Sequence, residues 1–297
     1  MELRRFLLII TLSIIAILLI TVWFFPLNDD FRTGNPFWNG SQDISARHQI
    51  TPLESLSALP VSPPGATLIL IPYLEFTRAE LGMLHNFVTR GGTLILADDY
   101  GYGNQVLEYL KIPLRFSGET LLDPLSHYKN KWFPRILHLT PGPLTSNVTS
   151  LVFNRATAIN GAEGNGTIAL SSSFSFLDQN SNHIRDEEEP VGPFPVISHC
   201  QSGNGQVILI TDPSIFINSM ESMEDNHILL RNIRSFTTSG LFIDESHLPP
   251  STLYQTKRML AHVRDFFTQP LSTTGVVIAV LAIILRPIWR KPANNLS

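Results

Sequence analysis

Apolar residues lie along this chain in three patterns: unbroken runs at the two ends, short solid blocks in the middle, and helical stripes between those blocks. Phe6 to Phe25 is a run of 20 residues without a charge. As a helix it extends roughly 30 Å, the hydrocarbon thickness of a bilayer. Arg4 and Arg5 precede it and Asp29 and Asp30 follow it, which by the positive-inside tendency leaves the N-terminus in the cytoplasm. A cleaved signal peptide has an apolar core of about 7–15 residues and ends at a small-residue site. This run is longer and ends Trp23-Phe24-Phe25-Pro26, so an uncleaved anchor is expected. Phe266 to Leu285 is also uncharged; Arg286, Arg290 and Lys291 follow it, with Trp289 as an interfacial aromatic. Its strongly apolar part, 271–285, is short enough for a buried or interfacial helix, but one-sided basic flanks favour a second span. The expected plan is a cytoplasmic tip and anchor over 1–26, an extracytoplasmic domain over 27–265, a second anchor over 266–289 and a cytoplasmic tail over 290–297. That is a two-span protein of the cell membrane with both termini cytoplasmic and the lipid bilayer as its first partner.

The middle blocks read as buried strands. Thr67-Leu-Ile-Leu-Ile-Pro72 follows Pro63-Pro64-Gly65, and Thr93-Leu-Ile-Leu-Ala97 follows Gly91-Gly92. Between them Thr77 and Glu80 have capping-box spacing, and Leu81, Leu84, Phe87 and Val88 share a helical face. A short helix is expected over 105–110. Strands alternating with helices, each strand continuously apolar, predict an α/β fold with a largely parallel sheet covered on both faces. Further strands are expected near 151–155, 167–172, 195–200, 206–211 and 241–244, with Gly203-Asn204-Gly205 turning a hairpin. Helices are expected over 218–236 and over 252–267, the latter running straight into the second anchor. Residues 113–150 are Pro-rich and irregular.

Composition narrows the function. Between Leu27 and Asp265 there are 16 Lys and Arg against 24 Asp and Glu, a net charge of −8, which disfavours nucleic acid as a partner. Cys200 is the only cysteine, so there is neither an intramolecular disulfide nor a Cys-based zinc site. It leads into the hairpin rather than an elbow and reads as a structural thiol. There is no Gly-rich phosphate loop, so no nucleotide cofactor is expected, and no complete catalytic set. Sequons stand at Asn39, Asn147 and Asn165.

Two oxygen-rich patterns remain. From Asp178 onward, Asp178, Asn180, Asn182, Asp186 and Glu189 fall at positions 1, 3, 5, 9 and 12, and the Ile184 carbonyl takes position 7. That is the ligand order of an EF-hand-type calcium loop, so Ca²⁺ is the candidate cofactor. His183 stands at position 6, where Gly is usual, and the plainer reading is an acidic turn-rich surface loop. The second pattern is a set of acids ending strands: Asp98 and Asp99, with Asn104 close behind, Asp212, and Asp244-Glu245 with His247. In open parallel sheets, sites lie beyond the carboxyl ends of the strands, so these residues form a candidate ligand-binding rim. The plainer reading is helix caps and turns.

Several stretches together resemble a prokaryotic membrane-anchored family, domain of unknown function 4350: NPFWNGS (35–41), LILIPYLEFTRAELGMLHNFVTRGGTLILADDYGYGN (68–104), SFLDQNSNHIRDEEEPVGPFPV (175–196), GQVILITDPSIFINSM (205–220) and FIDESH (242–247). The resemblance implies a three-layer sandwich similar to class I glutamine amidotransferases. Where their elbow carries Cys, this chain has Asp98-Asp99-Tyr100-Gly101, so the glutaminase nucleophile is missing. In similar proteins the 178–189 loop commonly has Gly at its sixth position, which favours a metal loop. Relatives are often encoded beside MoxR-type AAA ATPases, which implies membership of a membrane complex. The expected function is a non-catalytic extracytoplasmic binding or assembly module, stabilised by calcium; the alternative is a hydrolase working from the acidic rim.

Overall fold

The computed structural model describes residues 2–162 and 166–289, so the Asn165 sequon and the expected 290–297 tail lie outside the described residues. Two compact units emerge: Pro26–Pro249, and Met1–Phe25 with Pro250–Ser297.

The larger unit is built on an eight-stranded sheet. In chain order its strands are β1 (Ile50–Leu53), β2 (Ala66–Leu70), β3 (Thr93–Ala97), β4 (His138–Leu139), β5 (Thr167–Leu170), β6 (Pro195–Ser202), β7 (Gly205–Ile210) and β8 (Gly240–Asp244). Their order across the sheet is β1-β8-β2-β3-β7-β6-β5-β4. The first five neighbours run parallel, and β6, β5 and β4 add antiparallel strands at one side.

Side-chain alternation explains the continuous apolar blocks. Leu68, Leu70, Leu94, Leu96, Val207 and Leu209 enter one core with Leu84, Phe87 and Val106. Ile69, Ile71, Ile95, Ala97, Ile208 and Ile210 enter a second core with Leu229 and Ile233. A strand buried on both faces has no position for a polar side chain, so period-two patterning vanishes. Each fully buried Leu or Ile contributes about 1.5–3 kcal/mol.

The helix between β2 and β3, Arg78–Thr89, starts as expected: the Glu80 amide donates to Thr77 Oγ1 and the Thr77 amide to Glu80 Oε2. Gly91, at φ +110°, turns the chain back into β3. The β6–β7 hairpin also forms as expected, across Gly203 at φ +62°. The helix after β3, Gly103–Tyr109, starts two residues earlier than the pattern suggests.

One strand was missed and two expectations need correction. β1 escaped sequence reading because Pro52 interrupts it; the structure places it at the sheet edge with only β8 as neighbour, where a missing amide costs no ladder bond. The helix expected over 218–236 is two helices, Asn218–Glu221 and Asn226–Phe236. Tertiary bonds override the helical pattern there. Asp225 takes the Thr149 amide and hydroxyl, and buried Asn226 donates to the carbonyls of Val152 and Met220. The strand expected over 151–155 is only Leu151–Val152, paired with Arg135–Ile136 outside the central sheet.

The second unit holds the helix Glu2–Phe24 and the helices Thr252–Thr268 and Pro270–Trp289. Leu3–Phe24 is by itself long and apolar enough to cross a bilayer, and none of its best window is buried. Thr252–Thr268 and Ser272–Ala282 pass that test only as a pair bent by 75°. The expected uninterrupted run from 252 into an anchor starting at 266 is therefore broken at Gln269, whose ψ of 138° is extended. Pro270 imposes this, because its ring disfavours helical geometry in the residue before it. Within this unit Lys257 Nζ donates to the Trp23 carbonyl, and the Arg264 guanidinium lies 5.6 Å from the Trp23 ring centre.

Candidate functional site

At the carboxyl end of the sheet the acids sort into two groups. Asp98 and Asp99 follow β3, and Asp212 follows the neighbouring β7. Asp98 accepts the Gly101 and Gly103 amides, each at 2.7 Å. A Cβ on Gly101 would lie 2.4 Å from the Pro72 carbonyl oxygen, so this wrap around the carboxylate requires glycine. Asp99 accepts the Tyr100 amide and, at 3.3 Å, the Tyr73 hydroxyl. Asp212 accepts the Asn154 amide at 2.7 Å and the Ser214 amide at 2.8 Å. Burial raises the Asp98 carboxyl to about 7 and the Asp212 carboxyl to about 8, in the latter case with a further push from Asp99. Burial also raises Asp99, and burial with the facing Asp99 raises the Tyr73 phenol.

Asp244, Glu245 and His247 form the second group. His247 Nδ1 lies 2.7 Å from Asp244 Oδ2, its ring stacks on Phe76 at 4.0 Å, and Nε2 faces Glu80 at 3.8 Å. Glu245 pairs with the buried Arg32 at 3.2 Å and accepts the Thr33 amide and hydroxyl. Arg32 and Tyr73 were missed in the sequence; neither sits in a motif, and only the fold brings them to the rim. Asn104 does not belong to it: its amide makes a reciprocal pair with the main chain of Phe116, fastening the helix Gly103–Tyr109 to a neighbouring short strand.

The rim acids are thus gathered and largely engaged, though Asp99 bonds through Oδ1 alone. Asp98, Asp99, Asp212, Asp244 and Glu245 are all at most 8% exposed, and each holds main-chain amides or a buried partner. The described cavities lie elsewhere; one of about 460 Å³ opens at the amino ends of β3 and β7, beside Leu144, Ile168, His199 and Phe236. Cys200 sits half-buried within β6 and burial raises its thiol, away from any strand–helix elbow.

The 178–189 loop has a different construction. Asp178 ends the strand Phe176–Asp178, which pairs with Thr120–Leu122. Asp178 Oδ2 accepts the His183 amide at 3.0 Å, Asn180 Oδ1 the Asn182 amide at 3.0 Å, and Asn182 Oδ1 the Ile184 amide at 2.7 Å. The Asn180 and Asn182 side-chain amides both donate to Asp186 Oδ2, and Glu189 takes the amides of Gln179 and Asp186. Among the described residues, no three His, Cys, Asp or Glu side chains come together closely enough to hold a metal by themselves.

A third feature is an aromatic loop. Phe37 and Trp38 are 41% and 70% exposed. Their backbone is nonetheless pinned. The Phe37 amide donates to Asn35 Oδ1, Asn218 Nδ2 to the Phe37 carbonyl, and the Ser219 amide to the Trp38 carbonyl.

These observations define a mixed α/β domain on a largely parallel sheet, in a chain that also carries a membrane-length apolar helix. Residues 43–233 match the domain of unknown function DUF4350, and the chain belongs to that family. No curated protein matches it. Among solved structures, the chain is similar to the mmIFT52 N-terminal domain at 14% identity and a TM-score of 0.42, covering 60% of this chain and 76% of that one. It is similar to a putative ThuA-like protein from Parabacteroides merdae at 13% identity and a TM-score of 0.39, covering 64% of this chain and 76% of that one. A beta-galactosidase from Bacillus circulans gives 15% identity and a TM-score of 0.35, covering 58% of this chain but 22% of the enzyme. Likeness at this distance assigns neither an activity nor a ligand.

Proposed function

We propose that the chain is a membrane-tethered, extracytoplasmic binding module that docks a partner protein of a membrane complex. The pinned and exposed Phe37-Trp38 pair carries this reading. Large aromatics held rigid in solvent lose little conformational freedom on docking and supply the contact area typical of interface hot spots. Gly40 enforces the loop, since a Cβ there would lie 2.1 Å from the Asn35 carbonyl oxygen. Arg4 and Arg5 before the apolar helix support an outward-facing domain. A return of the chain through 270–289 completes a two-span topology. The amidotransferase-like scaffold implied by the sequence resemblance fits a binding role, because Cys200 lies inside a strand.

The test is the size of the protein extracted in mild detergent. Wild type runs as an assembly larger than its own micelle, and the Phe37→Ser/Trp38→Ser double variant runs alone with unchanged melting. Equal sizes for the two overturn the reading.

A second reading, hydrolysis at the rim, draws on the raised carboxyls of Asp98 and Asp212 beside Asp99. It needs these acids to reach a substrate, whereas their oxygens are occupied by the Gly101, Gly103, Asn154 and Ser214 amides. Retained hydrolysis of a model ester by wild type and its loss in Asp99→Asn would establish it.

A further inference from the structure

One buried oxygen in this molecule lacks what its neighbours have. The Asp178 side chain is 1% exposed, and its Oδ2 accepts the His183 amide and lies 2.8 Å from His183 Nδ1, yet Oδ1 has no hydrogen-bond partner. A buried carboxylate oxygen left unpaired costs about 1–3 kcal/mol or more. It stands at the head of a loop whose other oxygen groups follow it at alternating positions. We propose that residues 178–189 bind one calcium ion through side-chain oxygens of Asp178, Asn180, Asn182, Asp186 and Glu189 and the carbonyl of Ile184.

The donor set selects the ion. All six groups are oxygens, three of them carboxylates, which suits a hard cation, and neutral amide and carbonyl ligands suit the flexible shell of Ca²⁺ better than the tight octahedron of Mg²⁺. Among the described residues the three carboxylates do not come together closely enough to hold a metal by themselves, so the ion must draw them in along with the Asn and main-chain oxygens. The Ile184 carbonyl accepts no described hydrogen bond, while its amide is tied to Asn182 Oδ1. The ion takes the place of the two amide donors now on Asp186 Oδ2, and those amides rotate to turn their oxygens inward.

The departures from the usual loop are met by other means. His183 replaces the sixth-position Gly but adopts the same left-handed backbone, at φ +64°. Flanking helices are absent, and instead the Leu177 amide donates to the Pro190 carbonyl at 3.1 Å and Phe176 bridges Val191, closing the base of the loop. Lys131 Nζ donates to the carbonyl of His183, one residue before the ligand carbonyl. Nothing in this proposal depends on the docking role of Phe37 and Trp38. An extracytoplasmic address supplies the calcium, since loops of this kind on extracellular modules have Kd of about 10⁻⁴–10⁻³ M.

Trp132 provides the readout. Its ring centre is 4.6 Å from that of His183, close enough to sensitise a lanthanide in the loop. Intact protein in mild detergent, stripped with chelator, is titrated with Tb³⁺ under tryptophan excitation and, separately, with CaCl₂ in a calorimeter. The expected result is green luminescence displaced by Ca²⁺, with calcium heat at sub-millimolar to millimolar concentration and at least tenfold weaker response to Mg²⁺. Trp132→Phe removes the luminescence and keeps the calcium heat. Asp178→Asn weakens binding at least tenfold. If that variant does not fold, the exposed Asn180→Ala/Asn182→Ala pair must show the same weakening. No luminescence and no calcium heat at several millimolar overturns the proposal. So does binding unchanged in every loop variant, which would put the ion elsewhere.

Discussion

The rim and the 178–189 loop are both rich in carboxylates, and they have opposite designs. At the rim, Asp98, Asp99 and Asp212 are drawn inside, and all three accept protein amides, with Tyr73 added on Asp99. In the loop Asn180, Asn182 and the Ile184 carbonyl lie in exposed residues; of its two buried acids, Glu189 holds the Gln179 and Asp186 amides, while Asp178 keeps Oδ1 unpaired. Gathering acids does not make a binding site. Acids with protein amides on both oxygens act as fasteners, and a buried acid with one oxygen unpaired has room for a ligand.

Mutation and pH can break this comparison. Asp212→Ala is expected to have the largest effect, a loss of about 3 kcal/mol in denaturant unfolding of the detergent-solubilised protein. It strips the partner from the Asn154 and Ser214 amides in a fully buried place. A loss under about 1 kcal/mol would show that Asp212 is not a fastener.

Next comes pH. The Asp98 and Asp212 carboxyls are raised in the fold to about 7 and 8 from an ordinary 3.8, so between those values the folded chain binds more protons than the unfolded one. Stability from these groups is therefore fullest below about pH 4 and declines as pH rises to 8. Asp212→Asn, which keeps an acceptor and removes the charge, is expected to flatten the decline in Tm over that range by several degrees. An unchanged slope would show that other groups set it.

His183→Gly is expected to cost about 1–2 kcal/mol without calcium, because relief of the left-handed backbone is outweighed by the freer unfolded chain and by loss of the ring's contacts with Asp178 and Trp132. Its visible effect is a several-fold tighter calcium response in the Tb³⁺ displacement assay. Asp186→Ala is expected to do least without calcium, within about 0.5 kcal/mol, since the residue is only partly buried and bonds mainly to exposed Asn side chains. A larger loss in chelator would mean that the loop too is a fastener.

Much of the architecture was legible because it rests on local rules. The Thr77–Glu80 cap, the Gly91 turn, the Gly203 hairpin and the solid apolar strands all follow from short-range chemistry. The candidate site was legible only as a list of acids. Asn104 was placed at the rim by proximity in sequence, yet it faces Phe116. Arg32 lies 213 residues from the Glu245 that it holds, and no periodicity links them. Asp225 and Asn226 look helical until Thr149 and Val152 claim them.

The sequence by itself determined the elements that a residue and its near neighbours decide: an apolar span, strands buried on both faces, caps, turns and the order of oxygens in one loop. The tertiary structure alone decided which polar groups are already satisfied. Polar groups are satisfied by whatever arrives from distant parts of the chain, so the sequence can count acceptors, but only the fold shows that each Asp212 oxygen holds an amide and that Asp178 Oδ1 holds none.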